Sequence, residues 1–205
     1  MRRLLLAMEI LAAVFGLAAC GGTKTINPAD RAAIDSVAVA NEVKVAPEPI
    51  VVGSGTGLAI LFGAAGAAAA ASSQKTSAES FAEFLKTSGI DIGDIARQQF
   101  TEQLKGDPFY GARLSADGRY RFVLEVRSYG INKKNTFSSY WVANLRIDYK
   151  LLSPDGRVLA EDWAVVRPFS ERVEFTEDEM KANPQMLKQA FENAASDLSG
   201  RLFKK

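Results

Sequence analysis

Residues 119–131 read RYRFVLEVRSYGI, and residues 140–152 read YWVANLRIDYKLL. Apolar and polar side chains alternate in both segments, which is the period of a β-strand. One-sided alternation is typical of antiparallel strands that have one face on the core and the other in solvent. The apolar positions are Tyr120, Phe122, Leu124 and Val126 in the first segment, and Trp141, Ala143, Leu145, Ile147, Tyr149 and Leu151 in the second.

Turn and strand patterns extend this sheet on both sides. The sequence Ser153-Pro-Asp-Gly-Arg157 has proline and glycine where a tight turn needs them, and it leads into a third strand over residues 158–167. The turn Ala116-Asp-Gly118 predicts a short additional strand at residues 110–114. Earlier in the chain, valines of one parity predict a strand over residues 34–45, which Pro47 and Pro49 end.

Three segments have helical rather than strand periodicity. Phe81, Phe84 and Leu85 share a helical face, Asp91 is placed to cap a second helix, and Asn183 with Pro184 marks the start of a third. The last helix has an apolar stripe of Leu187, Ala190, Phe191, Ala194, Leu198 and Leu202. We therefore predict an α+β two-layer sandwich, with an antiparallel sheet of 3–5 strands covered on one face by helices.

The first twenty residues carry a different signal. Met1-Arg2-Arg3 is basic, an apolar run follows, and Leu17-Ala18-Ala19-Cys20 ends it with small residues and the chain's one cysteine. The pattern predicts a signal peptide at residues 1–19. Leu17–Cys20 resembles the lipobox of bacterial lipoproteins, which implies cleavage before Cys20, a diacylglyceryl thioether on its sulfur and an acylated N-terminus. Residues 20–33 are then a lipidated tether, and residues 34–205 form a single domain.

The resemblance also implies a place in the cell. Gly21, rather than an aspartate, follows the cysteine, which in Gram-negative lipoproteins implies the outer membrane, facing the periplasm. From Ile34 to Leu202, the order of elements is similar to that of small cell-envelope lipoproteins. These include the lipopolysaccharide-assembly lipoprotein, the curli-secretion lipoprotein and the auxiliary lipoproteins of ABC transporters.

A Gly/Ala-rich insertion interrupts the domain at residues 50–73, where residues 50–71 contain no charge. Three interpretations remain open for it: a membrane-inserting or self-associating helix, a flexible loop, and a buried core helix. Small residues recur at every fourth position and would form one smooth helical stripe. They are Gly55, Ala59, Gly63, Ala67 and Ala71.

Composition limits the chemistry. The chain has 25 basic and 24 acidic residues; removal of residues 1–19 takes away Arg2, Arg3 and Glu9 and leaves 23 of each. A neutral chain argues against nucleic-acid binding, which needs a basic footprint. The chain has no histidine, which excludes histidine-dependent triads and zinc sites. The acidic run at residues 174–179 lacks calcium-loop spacing and is expected to be a loop. We expect no metal, no cofactor and no enzymatic activity.

The sequence therefore predicts a non-enzymatic cell-envelope lipoprotein that binds or scaffolds an envelope protein partner, in transport or in outer-membrane assembly. We expect docking at an exposed strand edge or at the hairpin tip that carries Lys133 and Lys134. Two alternatives are a membrane-active homo-oligomer that pairs its Gly/Ala tracts, and a lipid-binding carrier with an apolar groove between the sheet and the last helix.

Overall fold

The computed structural model describes residues 23–53, 77–135, 137–166 and 173–203. The strands are β1 (Val37–Val39), β2 (Lys44–Val45), β3 (Ile50–Val52), β4 (Tyr120–Lys133), β5 (Trp141–Leu152), β6 (Val158–Val165) and β7 (Glu174–Phe175). The helices are α1 (Pro28–Ala32), α2 (Ser77–Thr87), α3 (Ile92–Gly106), α4 (Glu177–Ala182) and α5 (Gln185–Phe203), and Gly111–Arg113 is a 3₁₀ helix.

Strand β4 is the centre of one seven-stranded sheet. One edge of β4 pairs successively with β1, β2 and β3, which all run parallel to it. The other edge of β4 pairs with β5, which is antiparallel. Strand β5 then pairs with β6 and β7, both antiparallel. The predicted antiparallel unit is confirmed, but the sheet is mixed and larger than the 3–5 strands expected. Helices α2 and α3 lie between β3 and β4 in sequence, and such a crossover is what parallel pairing requires.

The core lies between the inner face of this sheet and helices α3 and α5, so the α+β sandwich is confirmed. Alternate residues of β4 and β5, such as Leu124 and Ile147, are almost fully buried. Four aromatic rings, two of them buried and two partly exposed, pack together with every pair of centroids 5.0–6.4 Å apart. Aromatic pairs of this geometry contribute about 0.5–1.5 kcal/mol beyond area burial. The four are Phe100 of α3, Phe122 of β4, Tyr149 of β5 and Phe203 of α5.

The helix boundaries follow the capping residues. Asp91 Oδ1 accepts a hydrogen bond from the Asp94 N–H at 2.9 Å and caps α3. Gly89, between α2 and α3, has a φ of 65°, a conformation that glycine adopts without strain. Asn183 Oδ1 accepts from the Gln185 N–H at 3.1 Å at the start of α5. The two helix starts predicted at Asp91 and Asn183 are confirmed.

Three local predictions are wrong. Residues 110–114 form a 3₁₀ turn rather than a strand, because Asp107 Oδ1 accepts the N–H groups of Phe109 and Tyr110. The strand expected over residues 34–45 is broken between Val39 and Lys44, so its two pieces pair separately with β4. The acidic run is not a loop: Thr176 and Glu179 form a reciprocal capping box that starts α4.

We predict that Gly130→Ala destabilises the protein, because a Cβ at this position would lie 1.7 Å from the Ile50 carbonyl oxygen of β3. Gly130 also has a φ of 153°, which strains any L side chain. We expect the free energy of unfolding in urea to fall by about 2–4 kcal/mol.

The matched control is Gly106→Ala at the end of α3, where no heavy atom lies within 4 Å of an added Cβ. Its unfolding free energy should change by less than about 1 kcal/mol, or increase. Equal stabilities of the two variants would contradict the close approach of β3 to β4.

Candidate functional site

The sequence-predicted site residues fall into two groups. Cys20, Gly55, Ala59, Gly63, Ala67 and Ala71 lie outside the described residues. Lys133 and Lys134 are described, and both interact within the chain. Lys133 Nζ lies 5.5 Å from the centroid of the Trp141 ring, and Lys134 Nζ lies 2.6 Å from Glu174 Oε1. The two lysines therefore brace the end of the β4–β5 hairpin.

Around these lysines, exposed apolar side chains form what we call the hairpin-end surface: Ile50, Val52, Phe137 and Tyr140. Their exposed fractions are 43%, 56%, 98% and 45%. The register of β3 on β4 puts Ile50 and Val52 on the outer face of the sheet, opposite the helices, and Tyr140 is the exposed neighbour of buried Trp141. Large apolar groups that are exposed together mark interaction sites more often than single ones do.

The turn that carries Phe137 is held by its own hydrogen bonds. Asn135 Oδ1 accepts from the Phe137 N–H at 3.0 Å, and Ser138 Oγ accepts from the Tyr140 N–H at 3.0 Å. The Asn135 carbonyl accepts from the Ser138 N–H. Phe137 is therefore exposed to solvent beside main-chain groups that are hydrogen-bonded to neighbouring side chains.

Farther along the outer face, charged side chains pair across the strands. Glu125 lies 3.1 Å from Lys44 and 3.2 Å from Arg127, and Asp148 lies 3.3 Å from Arg127 and 2.8 Å from Arg146. The pairing with Asp148 raises the pKa of Arg146. With three cations and two carboxylates, this network is nearly neutral and gives the face solubility rather than a strong field.

The outer face changes character again at β6, where Trp163 and Val165 are 40% and 38% exposed. Both alternate with buried Asp162 and Ala164, so both point away from the helices. The Arg146 guanidinium stacks over the Trp163 ring at 4.6 Å. Glu161, on the same side as Trp163, pairs with Lys150, whereas Asp162 points inward. The two neighbouring carboxylates thus take opposite faces, as the strand pattern predicts.

The N-terminal segment is attached to this same edge. The Lys24 N–H donates to the Glu161 carbonyl at 2.7 Å, and the Glu161 N–H donates to the Lys24 carbonyl at 3.0 Å. This pair is antiparallel. The Lys24 ammonium also donates to the Val158 carbonyl. The chain is therefore fixed to β6 only four residues after Cys20.

Helix α1 continues this attachment under the end of the sheet. Arg157 donates two hydrogen bonds to Asp30 at 2.8 and 3.2 Å, and this interaction lowers the pKa of the Asp30 carboxyl. Phe109 lies between two guanidinium groups, with Arg31 at 4.5 Å and Arg113 at 4.2 Å from its centroid. Residues 24–33 thus contact the domain, so these contacts begin before residue 34, where the sequence places the start of the domain.

Sequence reasoning missed this attachment and three of the surface positions. Asn27-Pro28 is a helix-start signature, and Asn27 indeed caps α1 by accepting from the Asp30 N–H. Trp163 occupies an outward position that strand parity alone indicates. Ile50 and Val52 were assigned to the Gly/Ala tract, although their β-branched side chains favour the strand they form.

Two further features concern residues 23–53, 77–135, 137–166 and 173–203. None of the helices there has the length and hydropathy to cross a bilayer. No group of three or more acidic or cysteine side chains that could hold a metal ion is present in those ranges.

Comparison with known proteins gives a structural likeness but no relative by sequence. No protein family and no curated protein matches the chain. The fold is similar to the crystal structure of a Xanthomonas campestris protein of family DUF330, with a TM-score of 0.43 and 16% sequence identity over 88% of each chain. A likeness at this level carries no functional information.

We predict that Phe109→Ala releases the N-terminal segment, because it removes the ring between Arg31 and Arg113. Each cation–π contact contributes about 0.5–1 kcal/mol. Only the Arg31 contact joins the segment to the domain, so tryptic cleavage after Arg31, followed by mass spectrometry under native conditions, should become roughly two- to fivefold faster, since loss of about 0.5–1 kcal/mol raises the open population by that factor. Phe137→Ala, an equal truncation at the hairpin end, should leave the rate unchanged; equal acceleration by both variants would contradict the attachment.

Proposed function

We propose that this protein is a lipid-anchored, non-enzymatic component of the cell envelope that binds a protein partner through its hairpin-end surface. The main observation behind this proposal is that Phe137, Tyr140, Ile50 and Val52 are exposed at one end of the sheet. Hydrogen bonds to Asn135 and Ser138 hold the main chain at Phe137 and Tyr140. The lipobox at Leu17–Cys20 supports the anchor, and Gly21 supports an outer-membrane location facing the periplasm.

Geometry supports a division between anchor and docking surface. Lys24 is fixed at Glu161, and Glu161 pairs with Lys150 of β5. Lys150 is nine residues from Trp141 at the hairpin end, which is about 30 Å at ~3.3 Å per residue. The attachment at Lys24 and the hairpin-end surface are therefore different parts of the sheet, which leaves the hairpin end accessible to a partner.

The chemistry of the surface indicates the kind of partner. Phe137 and Tyr140 are rigid aromatic side chains of the type that dominates binding energy at protein interfaces. Lys134 is already paired with Glu174, so little free charge accompanies them. We infer a partner with an apolar cleft that accepts the Phe137 ring, surrounded by uncharged polar groups.

The lipid-carrier alternative requires an apolar groove between the sheet and α5. Along that interface, Phe122 of β4, Leu145 and Ile147 of β5, and Phe191 and Leu198 of α5 are at most 1% exposed and fill the space between the layers. This packing favours docking over carriage. The membrane-oligomer alternative depends on the Gly/Ala tract at residues 50–71, whose small-residue stripe from Gly55 to Ala71 lies outside the described residues.

The anchor is tested by expressing the chain in a Gram-negative host. We predict that the N-terminal fragment begins at Cys20 and carries acyl chains by mass spectrometry. The chain should remain with membranes through an alkaline carbonate wash, whereas the Cys20→Ser variant should be released, because lipid chains supply durable anchoring. An unmodified N-terminus would refute the anchor, and a Cys20→Ser variant that stays in the membrane would point to the Gly/Ala tract instead.

The docking surface is tested by site-specific photocrosslinking in intact cells. A photoreactive residue replaces Phe137 in one chain and Glu102, on the exposed side of α3, in the control. We predict one discrete heterologous adduct from position 137 and none from position 102. Adding Val52→Asp should abolish that adduct, because a carboxylate would have to be desolvated in the interface.

With the captured partner purified, Phe137→Ala should weaken its affinity at least about tenfold, as truncation of an aromatic anchor costs ~1.4 kcal/mol or more. An adduct that contains only peptides of this chain would contradict a separate partner and indicate self-association. Equal adducts from positions 137 and 102 would contradict a specific docking surface.

A further inference from the structure

We propose that the β6 edge of the sheet is seated on the bilayer surface, with Trp163 and Val165 in contact with the boundary between lipid headgroups and acyl chains. This inference rests on the proposed lipid anchor and adds the orientation of the domain. The surface comprises Trp163, Val165 and the attached Lys24.

The length of chain between anchor and domain sets the reach. Cys20 and Lys24 are four residues apart, so their Cα atoms are at most about 14 Å apart even when the chain is fully extended. Lys24 itself is fixed by two backbone hydrogen bonds to Glu161 and one from its side chain to Val158. Acyl chains on Cys20 therefore hold β6 within one short segment of the membrane.

The direction of the pairing determines which part of β6 lies closest to the anchor. Lys24 is antiparallel to β6, so the chain on the N-terminal side of Lys24 leaves Glu161 in the direction of Val165. Val165 is four residues beyond Glu161, about 13 Å at ~3.3 Å per residue. The permitted reach from Lys24 thus covers the stretch of edge that carries Trp163 and Val165.

The side chains on this stretch suit a membrane boundary. Tryptophan combines an apolar ring with a polar N–H and is enriched where hydrocarbon meets headgroups. Trp163 and Val165 project from the outer face of an edge strand, with 40% and 38% of their surfaces exposed. The other tryptophan, Trp141, is 1% exposed in the core. Only Trp163 is therefore placed to sense a bilayer.

Two side chains bind a membrane weakly by themselves, so the contact depends on the anchor. A short linker turns the second contact into an intramolecular one with a high effective concentration, and this concentration falls as the linker lengthens. Lengthening the segment before Lys24 should consequently release the edge from the surface while the acyl chains stay inserted.

The experiment uses the full acylated chain in phosphatidylethanolamine–phosphatidylglycerol vesicles, with and without brominated acyl chains, and measures tryptophan emission. Bromine should quench the Trp163 share of the emission. The quenching should be lost in Trp163→Phe and also when a flexible insertion of about 20 residues after Gly22 extends the r.m.s. reach to ~25 Å. The matched relocation, Trp163→Phe with Phe137→Trp, should show no quenching at the hairpin end.

Failure of this inference and failure of the proposed anchor are distinguishable. If the chain is not acylated and does not float with the vesicles, both fail. If it is acylated and floats, absence of quenching in the unaltered chain overturns the seating of β6. Equal quenching with the long insertion, or quenching of the indole that Phe137→Trp introduces in the relocated variant, overturns it as well.

Discussion

The whole molecule depends on the pairing of β4 along both of its edges. Three short strands follow one edge in succession and β5 follows the other, so four of the seven strands hydrogen-bond to this one strand. Because side chains alternate along β4, the same pairing determines which residues face α3 and α5 and which face outward. A shift of β4 by one residue would bury Arg121 and Glu125 and expose Phe122 and Leu124, so this register carries a large energetic penalty for slippage.

The same register distributes the features on the outer face. At the hairpin end, it gathers Ile50, Val52 and Tyr140 next to Phe137. In the middle, it aligns carboxylates with guanidinium groups and keeps the face soluble. At β6, it leaves Trp163 and Val165 on an edge to which Lys24 is bound. The proposed anchor at one edge and the proposed docking surface at the hairpin end would both follow from this one arrangement of strands.

Alternation over residues 119–131 and 140–152 was enough to predict the antiparallel unit, its buried face and the covering helices, because burial on one face imposes a period of two. The parallel edge could not be predicted in this way, since β1, β2 and β3 are two or three residues long and contain too few positions to show a period.

The features of the site were harder to predict. The attachment of Lys24 is made mainly by main-chain hydrogen bonds, which any residue can form and which therefore leave no pattern in the sequence. The exposure of Phe137 depends on a turn whose hydrogen bonds come from Asn135 and Ser138, and turn chemistry identifies a loop without saying how far a ring projects. Lys133 and Lys134 were predicted to contact a partner protein. In the structure they interact with Trp141 and Glu174 of the same chain, which come close to the lysines only in the folded sheet.

In the proposed arrangement, the membrane and the protein partner use different parts of one sheet. Amide hydrogen exchange of the acylated chain, compared between vesicles and detergent micelles, tests it most directly. We expect slower exchange in vesicles for peptides that cover residues 158–166 and unchanged exchange for peptides that cover residues 134–140. Slower exchange at the hairpin end, with no change along β6, would contradict it.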